Sequence, residues 1–517
     1  MNHKSGKDIK SPGRVLPGKK DPLYFAFLLF MIFYLAGTFL VMALHEPWED
    51  ELHAWILSRE LDFFQLFNHM KYEGHFCLWH WILRLFSSNG AEVLYLNLIS
   101  YLFCTAGVLF FAEKAPFPRW VKILFFLSFP LFYFFPAVAR PYAMIPILLW
   151  ALAYCYPLRH KKTFCYGGLL ALMIQTHAYM EGFCGILSLL FFVEILRKKR
   201  KEPWREKAKA LSVFLLIGGS FLLGLLQVAG TFAVCCNAPE GNLLEKLANL
   251  PGDIGHYPVE FARSLTYYSG EIFVLILLGG AFLTGMVLLY LKSGKAFLIA
   301  LCSIASQILF SVWIYPMALQ RIYLPMLILV FCFWIVFRKQ GKGKNGGKKT
   351  MYCAWGILLL LSILTFPDTF LYTKLEISRP FSNIESTSCF IRKNLPRDAK
   401  ILVYPPELLS GTFGAFLPEY TFISSGNGKA FRYFLYEKNT GEKPDRITDE
   451  TLEKFPFTRE GTFYILLQAG MIRAYKLDLQ DPDRIFTRYR IRVIHVPAVP
   501  SFFPAGEDYL ILKADPL

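Results

Sequence analysis

Apolar runs of about 20 residues, the length that crosses a bilayer, recur along this chain from residue 24 to residue 371. In lipid, backbone polar groups can be satisfied only inside helices or closed barrels, and runs this long are helical. Eleven spans are expected, near 24–44, 91–111, 119–137, 141–157, 163–179, 182–197, 211–232, 272–291, 296–315, 322–337 and 351–371. Composition agrees: the 517 residues are 55% hydrophobic and only 18% charged, with 50 Phe. A soluble domain is about 25% charged. A soluble enzyme, a disordered regulator and a fibrous protein are therefore excluded.

The net charge of +16 is a matter of topology. Of the 55 Lys and Arg, 28 fall in the N-terminus and alternate loops, 7 in the opposite loops and 20 in the tail from residue 372. The positive-inside rule then puts the N-terminus in the cytoplasm. It makes the runs 197–209 and 338–349 topological anchors and not nucleic-acid contacts. The first span has no cleavage signal and reads as a retained anchor. With eleven spans the C-terminus lies outside. The expected organisation is a basic lead (1–22), a transmembrane domain (23–371) with outer loops at 45–90 and 233–271, and an extracytoplasmic soluble domain (372–517). The 11 Cys contain no C-x-x-C and imply neither a disulfide framework nor a thiolate metal site.

The tail has the pattern of a small α/β domain. Residues 382–395 carry helical spacing, with Ile384, Ile391 and Leu395 on one side. Segments 400–406, 461–468, 488–496 and 508–514 are β-branched and aromatic, as strands are. Residues 448–455 open with Thr and acids, as helices do. No catalytic motif stands out there.

The chemistry is concentrated in the first outer loop. Between His45 and Phe86 lie seven carboxylates and five of the chain's ten His. From Asp50 the residues fit an amphipathic helix with Leu52, Trp55 and Ile56 on one face. Glu49 and Asp50 precede His53 by four and three residues, which would project acid and imidazole together. Trp48, Trp55, Trp79 and Trp81 suit a helix lying at headgroup level. His with Asp or Glu could hold a divalent metal, although no H-x-x-x-H or H-E-x-x-H spacing occurs.

At these residues the chain resembles the GT-C superfamily of polytopic glycosyltransferases, above all protein O-mannosyltransferases and the lipid A aminoarabinose transferases of bacteria. The loop opens with Asp50-Glu51 and continues through His53, Ala54, Ser58, Arg59 and Glu60, similar to D-E-x-x-Y-A-x-x-x-R-E with Asp50, Glu51, Arg59 and Glu60 in register and His53-Ala54 one residue before its Y-A. A block like H-P-P-L-x-x-W is matched at His75 and Leu78 without its prolines, with Trp79 two residues before the pattern's Trp position. A-R-x-Y is matched at Ala139, Arg140 and Tyr142, T-H at Thr176 and His177, and R-Y-L-L-P loosely at Arg321, Tyr323, Leu324 and Pro325. All five fall on the expected outer side.

The resemblance implies a polyprenyl-phosphate-linked sugar donor and an acceptor on the outer surface, whether lipid, glycan or protein. It also implies a plasma membrane, bacterial by the nearest members. An acceptor hydroxyl needs a base; Asp50 is the first candidate and Glu51 the second. The leaving phosphate needs cationic support, for which Arg140, Arg321, His75 and Arg59 are candidates. His53, Tyr142, His177 and Tyr323 complete the expected substrate-binding set, although Tyr142 and Tyr323 fit interface aromatics better. Two other classes stand beside this one. A lipid or solute transporter predicts ionisable groups at mid-span, whereas Lys122, Glu194 and Asp368 are expected near span ends. A non-catalytic envelope-assembly protein predicts that Asp50 and Glu51 are dispensable.

Overall fold

The computed structural model describes residues 22–199, 203–228, 272–313, 321–339, 346–404, 409–431, 433, 446–472, 486–502 and 507–517. The basic lead up to residue 21, the expected outer loop 233–271 and parts of the runs 197–209 and 338–349 lie outside these residues, as do Cys235 and Cys236.

Each of the eleven expected segments is helical where described. They are α1 (Pro22–Leu44), α5 (Leu94–Lys114), α6 (Arg119–Phe126) with α7 (Pro130–Ala137), α8 (Pro141–Leu158), α9 (Thr163–Ile174), α10 (Ala178–Arg197), α11 (Trp204–Val228), α12 (Ile272–Lys292), α13 (Gly294–Trp313), α14 (Leu324–Lys339), and α15 (Gly346–Leu364) with α16 (Phe366–Ser378). Among the described residues seven helices are long and apolar enough to cross a membrane, α15 and α16 counting as one. The pair α6–α7, bent by 68°, makes an eighth, and α9, α12 and α14 are shorter apolar helices.

The bend frees backbone groups that lipid could not satisfy. Neighbouring helices supply the partners. Thr365 Oγ1 accepts from Phe129 N–H at 3.3 Å, and Thr369 Oγ1 donates to Leu127 O at 3.1 Å. Ser100 Oγ donates to Phe135 O and Val138 O at 3.0 and 3.2 Å. The break therefore brings Ala139 and Arg140 to the end of α7 in extended backbone.

Helices α5 and α8 meet at Gly107, where an added Cβ would lie 2.8 Å from Ile147 N and 2.8 Å from Pro146 Cβ. Backbone cannot rotate away as a side-chain tip can. Gly107→Ala is therefore expected to cost about 1–3 kcal/mol by overpacking, read as a lowered melting temperature of the detergent-solubilised protein.

The segment expected as a loop with one amphipathic helix is three helices: α2 (Glu49–Glu60), α3 (Phe63–Glu73) and α4 (Cys77–Ser87). Asp62 caps α3, its carboxylate accepting from Phe64 N–H and Gln65 N–H at 2.9 and 2.8 Å. Gly74, at φ 69°, ends α3 in the left-handed region. Arg84 reaches back to Ser58 O at 3.2 Å and to Leu61 O, satisfying carbonyls at the end of α2.

Trp55 and Trp79 are not at a headgroup surface. Both are fully buried, because the C-terminal domain sits on α2 and α4 and shares their core. Leu52, Trp55, Ile56, Trp79 and Leu83 form one cluster with Ile384, Ile401, Val403, Phe413, Tyr509 and Ile511.

That domain comprises α17 (Ile384–Asn394), β1 (Ile401–Tyr404), α18 (Leu409–Phe416), β2 (Phe422–Ser424), β3 (Ala430–Phe431), α19 (Asp449–Leu452), β4 (Phe463–Gln468), β5 (Tyr489–His495) and β6 (Tyr509–Pro516). The sheet order is β3-β2-β1-β4-β6-β5; β1 runs parallel to β2 and β4, and the remaining pairs are antiparallel. Strand alternation splits the core. Ile401 and Val403 face the helices α2 and α4, whereas Leu402 and Tyr404 join Ile465, Leu467, Leu512 and Phe455 on the other face.

Helix α16 continues past residue 371 to Ser378. Asp368 is consequently buried within the candidate span Lys349–Ser378, ten residues before its end.

Candidate active site

Six of the ten sequence-selected residues converge at one end of the helix bundle, on the face that carries α2–α4 and the C-terminal domain. Asp50 lies in the first turn of α2, and Arg140 follows the bent pair. Arg140 Nη1 is 3.1 Å from Asp50 Oδ2 and also donates to Asp50 O at 3.1 Å. Its Nη2 lies 3.3 Å from His75 Nε2.

Gly74 turns His75 so that its Nδ1 is 2.8 Å from Glu73 O. A carbonyl only accepts, so Nδ1 carries the proton and Nε2 receives the Arg140 N–H. Burial, reinforced by the Arg140 charge, pushes the His75 imidazole down to about 4. It is neutral at physiological pH.

The line continues through His177, whose ring centroid is 6.3 Å from that of His75. His177 Nδ1 accepts from Tyr179 N–H at 3.2 Å, so Nε2–H donates to Tyr142 Oη at 2.8 Å. Arg321 Nε donates to the same hydroxyl at 2.9 Å, and its guanidinium lies over the Tyr179 ring, 5.6 Å from the centroid. Tyr142 is thus buried in this network and is not an interface aromatic.

The site therefore holds one carboxylate, two permanently charged guanidiniums and neutral imidazoles. The Asp50 side chain is 44% exposed, open to a ligand, whereas that of Arg140 is 8% exposed. Such a set accepts a proton at the carboxylate and binds an anion at the guanidiniums.

The other four expected residues have other partners. His53 Nε2 is 3.0 Å from Glu73 Oε1, which His69 Nε2 also approaches at 2.7 Å. Burial pushes the Glu73 carboxyl up, but His53 and His69 outweigh it and hold Glu73 well below the usual carboxylate range. Glu51 is fully buried, accepting from Trp48 N–H at 3.1 Å and from Ala139 N–H, with His45 Nε2 at 3.1 Å. Arg59, at the far end of α2, pairs with Glu60 at 2.9 Å and donates to Gly414 O at 2.9 Å. Tyr323 is buried against Phe129, with ring centroids 5.5 Å apart.

Sequence reasoning passed over Glu73 and His45. The i,i+4 spacing of His69 and Glu73 was a usable signal for the first. His45 was only partly marked locally: Glu51 lies six residues on, whereas its other partner, Glu376, comes from a distant segment. As for a divalent cation, no group of three His, Cys, Asp or Glu that could hold a metal ion occurs among the described residues.

No family model and no curated protein matches the sequence. The solved structures similar to the chain include ArnT from Cupriavidus metallidurans bound to undecaprenyl phosphate and the same protein in the apo state. Each aligns with a TM-score of 0.53 and 11% identity, covering 95% of this chain and 98% of the ArnT chain. The likeness spans both chains almost entirely and shows that this chain shares the fold of ArnT.

Proposed function

We propose that the protein is a membrane glycosyltransferase. It transfers a sugar from a polyprenyl-phosphate donor to an acceptor, lipid, glycan or protein, on the extracytoplasmic face of a bacterial plasma membrane. The observation that carries this reading is the line Asp50–Arg140–His75–His177–Tyr142–Arg321, an exposed carboxylate backed by two guanidiniums at the helix ends. The ArnT-like fold and the undecaprenyl phosphate bound in one ArnT structure support the donor class. The N-terminus and basic loops are cytoplasmic by the positive-inside rule, and the domain after Ser378 is extracytoplasmic.

In this mechanism the acceptor hydroxyl attacks the anomeric carbon and Asp50 takes its proton. The bond from that carbon to the phosphate oxygen breaks, and the phosphate leaves with the electron pair. Arg140 and Arg321 bind the phosphate and stabilise its growing charge. His75 is neutral and orients Arg140, while His177 and Tyr142 hold Arg321. Glu51 fixes Ala139, beside Arg140, and takes no proton from substrate. His53 and Arg59 act through Glu73 and the C-terminal domain.

Binding of undecaprenyl phosphate to the purified protein, measured by native mass spectrometry, tests the donor assignment. Arg140→Ala and Arg321→Ala are each expected to weaken it about tenfold to a hundredfold, the loss of one or two charge-assisted hydrogen bonds. Unchanged binding in both variants contradicts it.

A transporter is the second reading, favoured by one observation: the carboxylate of Asp368 is buried inside a membrane-spanning stretch. It predicts that Asp368→Asn abolishes function while Asp50→Asn does not.

A further inference from the structure

The helix that carries Asp50 is held at both ends by the C-terminal domain. At its start, the Glu49 N–H, an N-terminal helical donor without an intrahelical acceptor, points at the Glu507 carboxyl, 3.4 Å from Oε1 and 3.3 Å from Oε2. Glu507 is itself fixed: Ser382 Oγ donates to Oε2 at 2.9 Å, and Asn383 N–H donates to the Glu507 carbonyl at 2.9 Å. The next residue, Asp508, accepts from Asn383 Nδ2 at 2.6 Å and Ser501 N–H at 2.7 Å. At the end of α2, Arg59 donates to Gly414 O and Ala415 O of α18 at 2.9 and 3.4 Å. Between the ends, Leu52, Trp55 and Ile56 pack with Ile384, Phe413 and Tyr509.

We infer that Glu507 is a positioning residue for the transfer reaction: from the C-terminal domain it fixes the first turn of α2 and so holds the Asp50 carboxylate against Arg140. This rests on the reading of Asp50 as the base. It gives the C-terminal domain a function beyond covering the bundle, because a site built on one turn of helix tolerates little displacement. A shift of about 1 Å costs up to a hundredfold in rate.

The groups facing Glu507 are Glu49 and Asp50 from α2, Ser382 before α17, and Asp508 and Tyr509 of the chain entering β6. Burial pushes Glu507 up to about 8, and burial followed by the Glu507 and Asp50 charges pushes Glu49 up as well. Both acids have raised values. The folded protein therefore retains a proton that the separated parts release. The latch is complete below about 4.5 and weakens as pH rises through about 8.

The test uses the full-length protein in membranes of the parent cell, whose own donor and acceptor supply the reaction, with sugar incorporation measured between pH 6 and pH 9. Glu507→Ala removes the acceptor of the Glu49 N–H and is expected to lower incorporation at least about tenfold. Glu507→Gln keeps an acceptor oxygen without its titration. It is expected to restore incorporation and to remove the wild-type decline on the alkaline side.

The inference is overturned if Glu507→Ala matches wild type, or if Glu507→Gln falls as far as Glu507→Ala. Should Glu507→Ala fail to fold, Ser382→Ala, which releases one Glu507 oxygen, is expected to lose a smaller fraction of activity, and wild-type incorporation in it overturns the inference. Asp50→Asn is measured in parallel. Full incorporation in that variant overturns the transferase reading first, and this inference with it.

Discussion

Asp50→Asn is expected to leave a folded protein that binds undecaprenyl phosphate as wild type does, yet transfers sugar about 10²–10⁴-fold more slowly. Asn has the shape of Asp and can still accept from Arg140, but it cannot take a proton from the attacking hydroxyl. The loss is in rate and not in packing, because the Asp50 side chain is 44% exposed and belongs to no core cluster. Losing the half-exposed ion pair with Arg140 costs about 0–1 kcal/mol. A melting temperature close to wild type together with lost transfer is therefore the expected pair of results. A transfer rate within about threefold of wild type would remove Asp50 from the role of base.

The largest expected stability effect lies one layer deeper, at His45. Its Nδ1 is 3.0 Å from Glu376 Oε1 and its Nε2 is 3.1 Å from Glu51 Oε2, with all three side chains inaccessible to solvent. Ionised carboxylates only accept, so both ring nitrogens donate and His45 is an imidazolium. Tyr133 hydroxyl donates to Glu376, and Asn97 Nδ2 donates to the His45 carbonyl at 3.0 Å. The cluster joins the end of α1, the start of α2, the bent pair and the end of α16.

Removing one partner of a buried ionic cluster leaves uncompensated charge and costs about 3–5 kcal/mol. His45→Ala is expected to lose that much. It is also expected to displace Arg140, since Glu51 holds Ala139 N–H. The pH dependence has a definite sign. Burial pushes the His45 imidazole down, but Glu376 and Glu51 outweigh it and raise it to about 10. A raised base contributes stability that is complete below about 6.5 and lost as pH rises through about 10. Thermal melts of wild type across that window should fall more steeply than those of His45→Ala. Parallel curves would contradict the imidazolium assignment.

Much of this architecture is legible in the sequence for one physical reason: lipid forces each spanning segment to be apolar along its whole length. The β-branched and aromatic segments of the tail are visible too, and 461–468 and 488–496 contain strands Phe463–Gln468 and Tyr489–His495. Local pattern fails where the partner is distant. Trp55 and Trp79 look like interface residues because nothing near them announces the sheet that covers them. Helix α18 contains two Gly in eight residues and lacks the spacing that marks a helix, and β2 is only three residues long.

The candidate site shows the same division. Asp50, His75, Arg140, His177 and Arg321 are recognisable as residue types at outer helix ends. That Arg140 rather than Arg59 meets Asp50 depends on the bend in α6–α7, which Thr365 and Thr369 of the last span stabilise. The pairing of His53 with Glu73 depends on the break at Leu61-Asp62, where α2 ends in extended backbone and α3 begins, so that a carboxylate 20 residues further on meets His53.

The central claim, that this protein moves a sugar onto an outer-surface acceptor from the site at Asp50, is tested most directly by mass spectrometry of envelope glycans. Wild-type cells, a deletion strain, and the deletion complemented with well-expressed Asp50→Asn would be compared. The account predicts that one sugar mass disappears on deletion and stays absent with Asp50→Asn, the lost mass naming both sugar and acceptor. Restoration of the wild-type profile by Asp50→Asn would contradict it.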